Sequence, residues 1–534
     1  MGYRPERLLI RAELKRSFGL LGMIGFSFSI VTSWSALGGV LVTGVNAGGP
    51  PVVSNPSSEI DYEASKYDMS IMNVPPRLRH LLMIWGWVGI SCVSLCVVYS
   101  MAEMCSEYPV AGGQYSWVYI LSPKSIRRQF SYLTGWFMII GILAMGATNS
   151  FIGANFILGQ ANLVNPTYEI QRWHTVLVAY AITLLATFIN FQLPLSSKIS
   201  RTLLALVPRW LGSLAYYNRL SACVVVSITI LEPPSTNGLT FASDDAPSHM
   251  TEELKDASKE APRAMVLSVY IGAITGFIFL IAVCFCVGDI DEVANTATLV
   301  PLIQIYFDST NSNVGTCFLA SMIVIINVGS ANALLAEGSR SLYAFARDRG
   351  LPFSSQISKV SSKHKVPVVA ILLGAIVQMA FNSIYFGTVT GFNTVIAIAT
   401  EGFYLSYAMP LLVRLISYFN GSHRQLTGPW AMKPLVSLLV NGVGLAYLLF
   451  ACITFNFPSV SPVTSENMNY TSAAIGVIMF VAAVTWFTTA RKRFSGPEIE
   501  VVVHGLAEPG AEAGVGERVE SSNSDETRAE KKHG

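Results

Sequence analysis

Carboxylates are the residues best placed to do chemistry in this chain, because so few charged side chains stand within its apolar runs. Glu401 lies well inside the run 391–413, and Glu103 closes the run 82–103 beside Met104. A carboxylate at membrane depth is costly to desolvate and by default marks a functional site. Glu401 is followed by Gly402, Tyr404 and Tyr407, which brings hydroxyl partners within a turn or two. It either takes up and releases a proton or forms a structural hydrogen bond that locks helix packing. Glu337 has Arg340 three residues on, the spacing of an intrahelical ion pair, and is expected at the cytoplasmic interface. His249 is the one histidine in the charged stretch DAPSHMTEELKDASKEAPR, residues 245–263. It either senses protons or satisfies a neighbouring carbonyl.

Two further groups carry recognition chemistry. Thr32, Ser33, Ser35, Gly38, Gly39 and Gly44 crowd around Trp34 in the first apolar run. Glycine at that density permits a helix to break and hydroxyls supply ligands; the competing reading is close helix packing through small residues. Gly112, Gly113 and Gln114 follow Pro109, and two glycines before a polar residue suit a tight bend. Arg340, Arg347, Asp348 and Arg349 form either a charge network or ordinary anchoring on the positively charged side of a membrane.

The elements that must position these groups are membrane helices. The chain is 52% hydrophobic and only 13% charged, with a mean hydropathy of +0.48. Soluble chains carry about 25% charged residues. A spanning helix needs about 20 mostly apolar residues. Runs of that kind lie at 19–46, 82–103, 130–160, 173–192, 264–288, 315–336, 366–386, 391–413, 434–456 and 470–489, with a weaker one within 202–231. Each of the charged segments 245–263 and 337–353 adjoins a run, which predicts a short charged helix where a span meets the cytoplasm.

Lys and Arg recur in the connections at 124–128, 198–201, 255–263, 340–365, 414–433 and 491–493, whereas 289–314, 387–390 and 457–469 have none. The alternation predicts a multi-pass protein with both termini cytoplasmic. Residues 1–18 are a basic cytoplasmic segment without the features of a cleaved signal peptide, and residues 491–534 a disordered cytoplasmic tail lacking aromatics from 495 on.

Several function classes drop out. The net charge is +2 with no basic stripe interleaved with aromatics, so no nucleic-acid partner is indicated. The eight cysteines lie mostly within apolar runs and form no CxxC pair with histidines, so neither a metal site nor a cofactor is expected. No HExxH, GxSxG or phosphate-binding loop occurs, which argues against an enzyme.

Five segments in order resemble the amino acid–polyamine–organocation superfamily, and within it the fungal amino acid, GABA and choline permeases. They are SFGLLGMIGFSFSIVTSW (17–34), AEMCSEYPVAGGQYSWVYILSP (102–123), SYLTGWF (131–137), DAPSHMTEELKDASKEAPRAM (245–265) and SRSLYAFARDRGLPF (339–353). The resemblance covers most of 15–490. It implies an all-α LeuT-type bundle of about eleven to twelve transmembrane helices, ten of them forming two inverted repeats, in a domain spanning 19–490. Substrate would lie near mid-membrane where the first and sixth helices are broken. On that basis Thr32, Ser33, Trp34, Gly38, Gly39 and Asp245 are the expected substrate-binding residues. Glu103, Gly112, Gly113, Gln114 and Glu401 are the expected coupling or gating residues, with the glycine turn as inner gate.

The implied function is a secondary transporter, proton-coupled, for amino acids or related amines such as GABA or choline. The expected partners are that substrate, a proton and the bilayer, with the plasma membrane as location. Two departures from the family pattern stand out. A polar insertion occupies 52–79, and 202–244 is atypical, since EPPSTNGLTFASD (232–244) replaces an apolar half-helix. That predicts an incomplete sixth helix, with an extended segment joining a short helix that starts near Asp245. It also leaves open a transport-impaired paralogue or an amine-sensing membrane receptor.

Overall fold

The computed structural model describes residues 19–31, 76–191, 245–254, 256–284, 293, 296–361, 366–420, 426–457, 464 and 468–497. Helices dominate among them, and no strand occurs among the described residues. Nine described helices are long and apolar enough to cross a membrane. In hydrocarbon a backbone satisfies its polar groups internally, and a run of about 20 apolar residues does so as a helix.

The chain order is α1 (Leu20–Val31), α2 (Pro76–Glu107), α3 (Gln114–Leu121), α4 (Arg127–Val164), α5 (Arg172–Phe191) and α6 (Ala246–His249). A 3-10 turn (Thr251–Glu253) leads to α7 (Ala257–Cys284), α8 (Pro301–Thr310), α9 (Asn313–Arg347) and α10 (Ser354–Ile357). Then come α11 (Val368–Gly387), α12 (Val389–Phe419), α13 (Pro434–Thr454) and α14 (Thr471–Thr485), a π turn (Trp486–Ala490) and α15 (Arg491–Arg493).

At the centre stands α4. Its most apolar window is 94% buried, against 17% for the last span, so α4 is the axis of the bundle and α14 its edge. Both α9 and α12 pack along α4. Gly402 of α12 meets Gly141 of α4 so closely that a Cβ on Gly402 would lie 2.8 Å from the Gly141 Cα. Small residues let backbones approach where lipid offers no hydrophobic drive for association. The outward faces are apolar: Leu184 and Phe188 on α5, Ile376 on α11 and Phe450 on α13 are exposed, as a surface covered by lipid requires.

Several boundaries differ from the sequence expectation. The segment 337–347 is not a separate junction helix: it is the last part of the 35-residue α9, because nothing interrupts the helix before Arg349 and Gly350. Its N-terminus is fixed by the Ser312 side chain, which accepts from the Gly315 N–H at 3.3 Å. The segment 245–263 is not one helix either. Pro247 sits in the first turn of α6, which stops after four residues, and the 3-10 turn and then α7 follow.

The end of the polar insertion, 76–79, belongs to α2, which begins on Pro76, a residue suited to the first helical position. A buried helix, α8, lies within the connection 289–314. The first residues of the expected tail, 491–497, lie within the described structure. Residues 491–497 dock on the bundle: Phe494 is fully buried, its ring 5.5 Å from Tyr132, and its carbonyl accepts from Arg128 Nη2 at 2.7 Å. The first-span residues from 32 on, the weak span within 202–231, the segment 232–244 and the chain beyond 497 lie outside the described residues.

Candidate functional site

The charged motif after residue 244 folds back on the glycine turn. Asp245 stands at the N-terminus of α6, and His249 one turn on lies on the same face. His249 Nε2 is 2.7 Å from Asp245 Oδ2, and His249 Nδ1 is 3.2 Å from the carbonyl oxygen of Ala111. Gln114, at the start of α3, donates from Nε2 to Asp245 Oδ2, and the Tyr407 hydroxyl of α12 donates to Asp245 Oδ1. All four side chains are buried.

The bend that brings these elements together needs glycine. Gly113 has φ +57°, where a side chain is strained, and a Cβ there would lie 2.6 Å from His249 Cε1. At Gly112 a Cβ would fall 2.1 Å from Ser116 Oγ.

Glu337 corrects the sequence reading. It does not pair with Arg340. It is fully buried, neither carboxylate oxygen has a hydrogen-bond partner, and it approaches the Asp245–His249 pair, with one ligand atom from each of the three residues within 4.8 Å of the others. Arg340 turns instead to Glu253 of the 3-10 turn, Nε to Oε1 3.0 Å, with both side chains buried. The helix runs ten residues past Glu337, about 15 Å of rise, so Glu337 lies within the long helix rather than at its end.

The charge network around 340–349 has Arg340 on Glu253, Arg347 Nη1 2.7 Å from Glu252 Oε1, and the Tyr115 hydroxyl donating to Asp348 Oδ2 at 2.7 Å. Burial holds the Tyr115 phenol well above its ordinary range, so it remains a donor. The network ties α9 to the 3-10 turn and to α3.

The remaining carboxylates lie in other contacts. Glu103 Oε2 is 2.9 Å from Arg414 Nη2 and accepts from Ser437 Oγ at 2.9 Å, while Oε1 accepts from the Met432 N–H at 3.1 Å. It clamps α2 to α12 and to the segment entering α13. Glu401 does not bond to the hydroxyls that follow it: Oε1 accepts from Asn456 Nδ2 at 3.0 Å, Tyr404 pairs with Tyr447, and Tyr407 goes to Asp245. A helix turns about 100° per residue, so sequence neighbours face different ways. Of the expected substrate residues only Asp245 lies within the described residues; Thr32, Ser33, Trp34, Gly38 and Gly39 lie outside them.

The Asp245–His249–Glu337 group is the one described set of three or more ligating side chains close enough for a metal ion. Its donors do not suit one. Both oxygens of Asp245 and both nitrogens of His249 are already engaged in hydrogen bonds, which leaves Glu337 alone to ligate. The parts of the group come from the four-residue α6, the glycine turn before α3 and the two long helices α9 and α12.

Residues 77–207 and 237–481 match the sequence pattern of the amino acid permease family. A Macrophomina phaseolina protein named for amino acid/polyamine transport is 52% identical over 85% of this chain and 97% of its own length. The choline transporter of Saccharomyces cerevisiae is 26% identical over 91% of this chain and 84% of its own. An amino-acid permease of Arabidopsis thaliana is 25% identical over 92% and 95%. The nine described spans fit the LeuT-type helical bundle expected of such permeases. The chain belongs to the amino acid permease family, within the amino acid–polyamine–organocation superfamily, and is a multi-pass membrane transporter rather than an enzyme.

Proposed function

We propose that this transporter is a proton-coupled secondary carrier for amino acids or related amines such as GABA or choline, acting at the plasma membrane with both termini in the cytoplasm. The observation that carries the reading is the buried acidic group at the start of α6. Asp245 and Glu337 lie close together there, beside His249, with hydrogen-bonding groups from α3 and α12. A carboxyl-lined site sheltered from water favours cargo that carries a positively charged nitrogen. The relatives named for amino acid/polyamine and for choline transport support the same class, since such cargo carries a positively charged nitrogen. Substrate would also touch the first span around Ser33, Gly38 and Gly39, with Gly112, Gly113 and Gln114 closing the cytoplasmic side.

Uptake of labelled amino acids, GABA, choline and putrescine into cells lacking their own permeases tests the proposal. Uptake of at least one amine, at a rate that changes when a protonophore collapses the proton gradient, is the expected result. No uptake of any of them by protein present at the cell surface would refute it in favour of an impaired carrier or a receptor. Tags on either terminus should be reachable only after permeabilisation; a terminus labelled on intact cells would overturn the orientation.

A further inference from the structure

Glu337 holds a distinct position in the buried group. Asp245 accepts on both oxygens, from the Tyr407 hydroxyl on Oδ1 and from Gln114 Nε2 on Oδ2. His249 faces acceptors with both nitrogens: the Ala111 carbonyl at 3.2 Å and Asp245 Oδ2 at 2.7 Å. A carbonyl cannot donate, so Nδ1 is the donor to Ala111. The two side chains are thus satisfied by one another and by the groups around them.

Glu337 is the third member of the group. It is fully buried and neither oxygen has a hydrogen-bond partner, so as an anion it would lack a countercharge. Among the described residues the neighbouring elements supply none. Arg340 is held by Glu253, and Arg347 by Glu252 and Asp348. From α4 come Ile142 and Leu143 beside Gly338, and from α5 Asn190 bonded to Asn332. In α1, which also packs on α9, residues 20–31 contain no ionisable side chain. A buried carboxylate does not persist as an unpaired anion; it takes up a proton or a cation.

We propose that Glu337 is the exchange point of this carrier, where one proton and the positively charged nitrogen of the cargo exclude each other. With the site empty, the carboxyl group is neutral and holds the proton. When an amine enters, the proton passes to water, the carboxylate becomes the counter-ion of the ammonium group, and no covalent bond forms or breaks in the cargo. The exchange rests on the amine-transport reading; the proton held by Glu337 can be tested without it.

Infrared difference spectroscopy on the purified protein reads that proton directly. The wild type should show the carbonyl band of a buried protonated carboxyl group, and Glu337→Gln should lack it. Choline is the first amine probe, because its quaternary nitrogen has no proton to lose. Adding choline to the weakly buffered wild type should remove the band and release about one proton per choline bound. Glu337→Gln should release none and should lose the pH dependence of uptake.

A wild type with no Glu337-dependent band overturns the proposal. So does a band that persists when an amine carried by the wild type is bound. If choline, GABA and putrescine are all refused, the cargo reading fails and the exchange falls with it, while the band alone decides whether Glu337 is a proton site. Stabilisation of the wild type by Zn²⁺ or Mn²⁺, lost in Glu337→Gln and accompanied by no carboxyl band, would make the group a metal site and overturn the proposal.

Discussion

Gly113 sets how closely the turn before α3 approaches α6, and so whether His249 can reach Asp245. An alanine there meets two obstacles: the left-handed φ of +57° and the His249 ring 2.6 Å from the new Cβ. The first costs about 1–2 kcal/mol, and the second pushes the imidazole off its partner. Gly113→Ala is expected to abolish uptake while the protein still reaches the membrane, as a surface-labelling assay would show. Gly89→Ala, with nothing within 4 Å of its Cβ, is the control and should leave uptake intact.

Tyr407 acts on the other oxygen of Asp245. Removing its hydroxyl in Tyr407→Phe deletes a hydrogen bond to a charged group, which contributes about 1.5–3 kcal/mol. Since about 1.4 kcal/mol is tenfold, the expected loss in uptake efficiency is roughly 10- to 100-fold at equal expression. Neither Tyr407 nor Glu337 could be ranked from sequence, because hydroxyls and carboxylates become partners only once α6, α9 and α12 are set side by side.

At the scale of elements, the ion pairs sort the bundle into parts. Glu103 on α2 and Arg414 on α12 join two helices and the approach to α13, away from the group at Asp245. Truncating one partner of a buried pair leaves the other uncompensated, at a cost of about 3–5 kcal/mol. Glu103→Ala should therefore lower thermal stability in detergent by that order, as should Arg414→Ala. The double variant should cost less than the sum, because it leaves no unpaired charge. If Glu103 instead served coupling, Glu103→Ala would abolish proton dependence without loss of stability. The close approach of α4 and α12 at Gly141 and Gly402 has the same architectural character: it places Tyr407, five residues beyond Gly402, on the face that reaches α6.

Across the whole molecule, the end of the described chain is part of the bundle. Phe494 is fully buried beside Tyr132 and Phe345, and Arg128 holds the Phe494 and Arg491 carbonyls. Phe→Ala in a packed core costs about 3–5 kcal/mol. Phe494→Ala should lower thermal stability by about that much, whereas removing 498–534 should leave stability and uptake unchanged. A truncation that unfolds the protein would show that residues beyond 497 belong to the fold.

The spans were legible in the amino-acid sequence because the bilayer imposes a length and a composition on each. All nine described membrane helices coincide with apolar runs, from the one that includes Glu103 to the one that ends near Arg491. The family was legible too, through motifs such as those at 102–123 and 339–353. Gly113 marked the turn because positive φ leaves a local trace in residue choice.

What only the tertiary structure decided was pairing. A carboxylate binds whichever donor the packing brings near it, often hundreds of residues away, and no local period encodes that distance. Arg340 lies three residues from Glu337 yet bonds Glu253, 87 residues earlier, and Tyr407 passes over Glu401 to reach Asp245, 162 residues earlier. That exchange of partners leaves Glu337 buried without a hydrogen bond, because packing places the Arg340 guanidinium against the 3-10 turn rather than along its own helix.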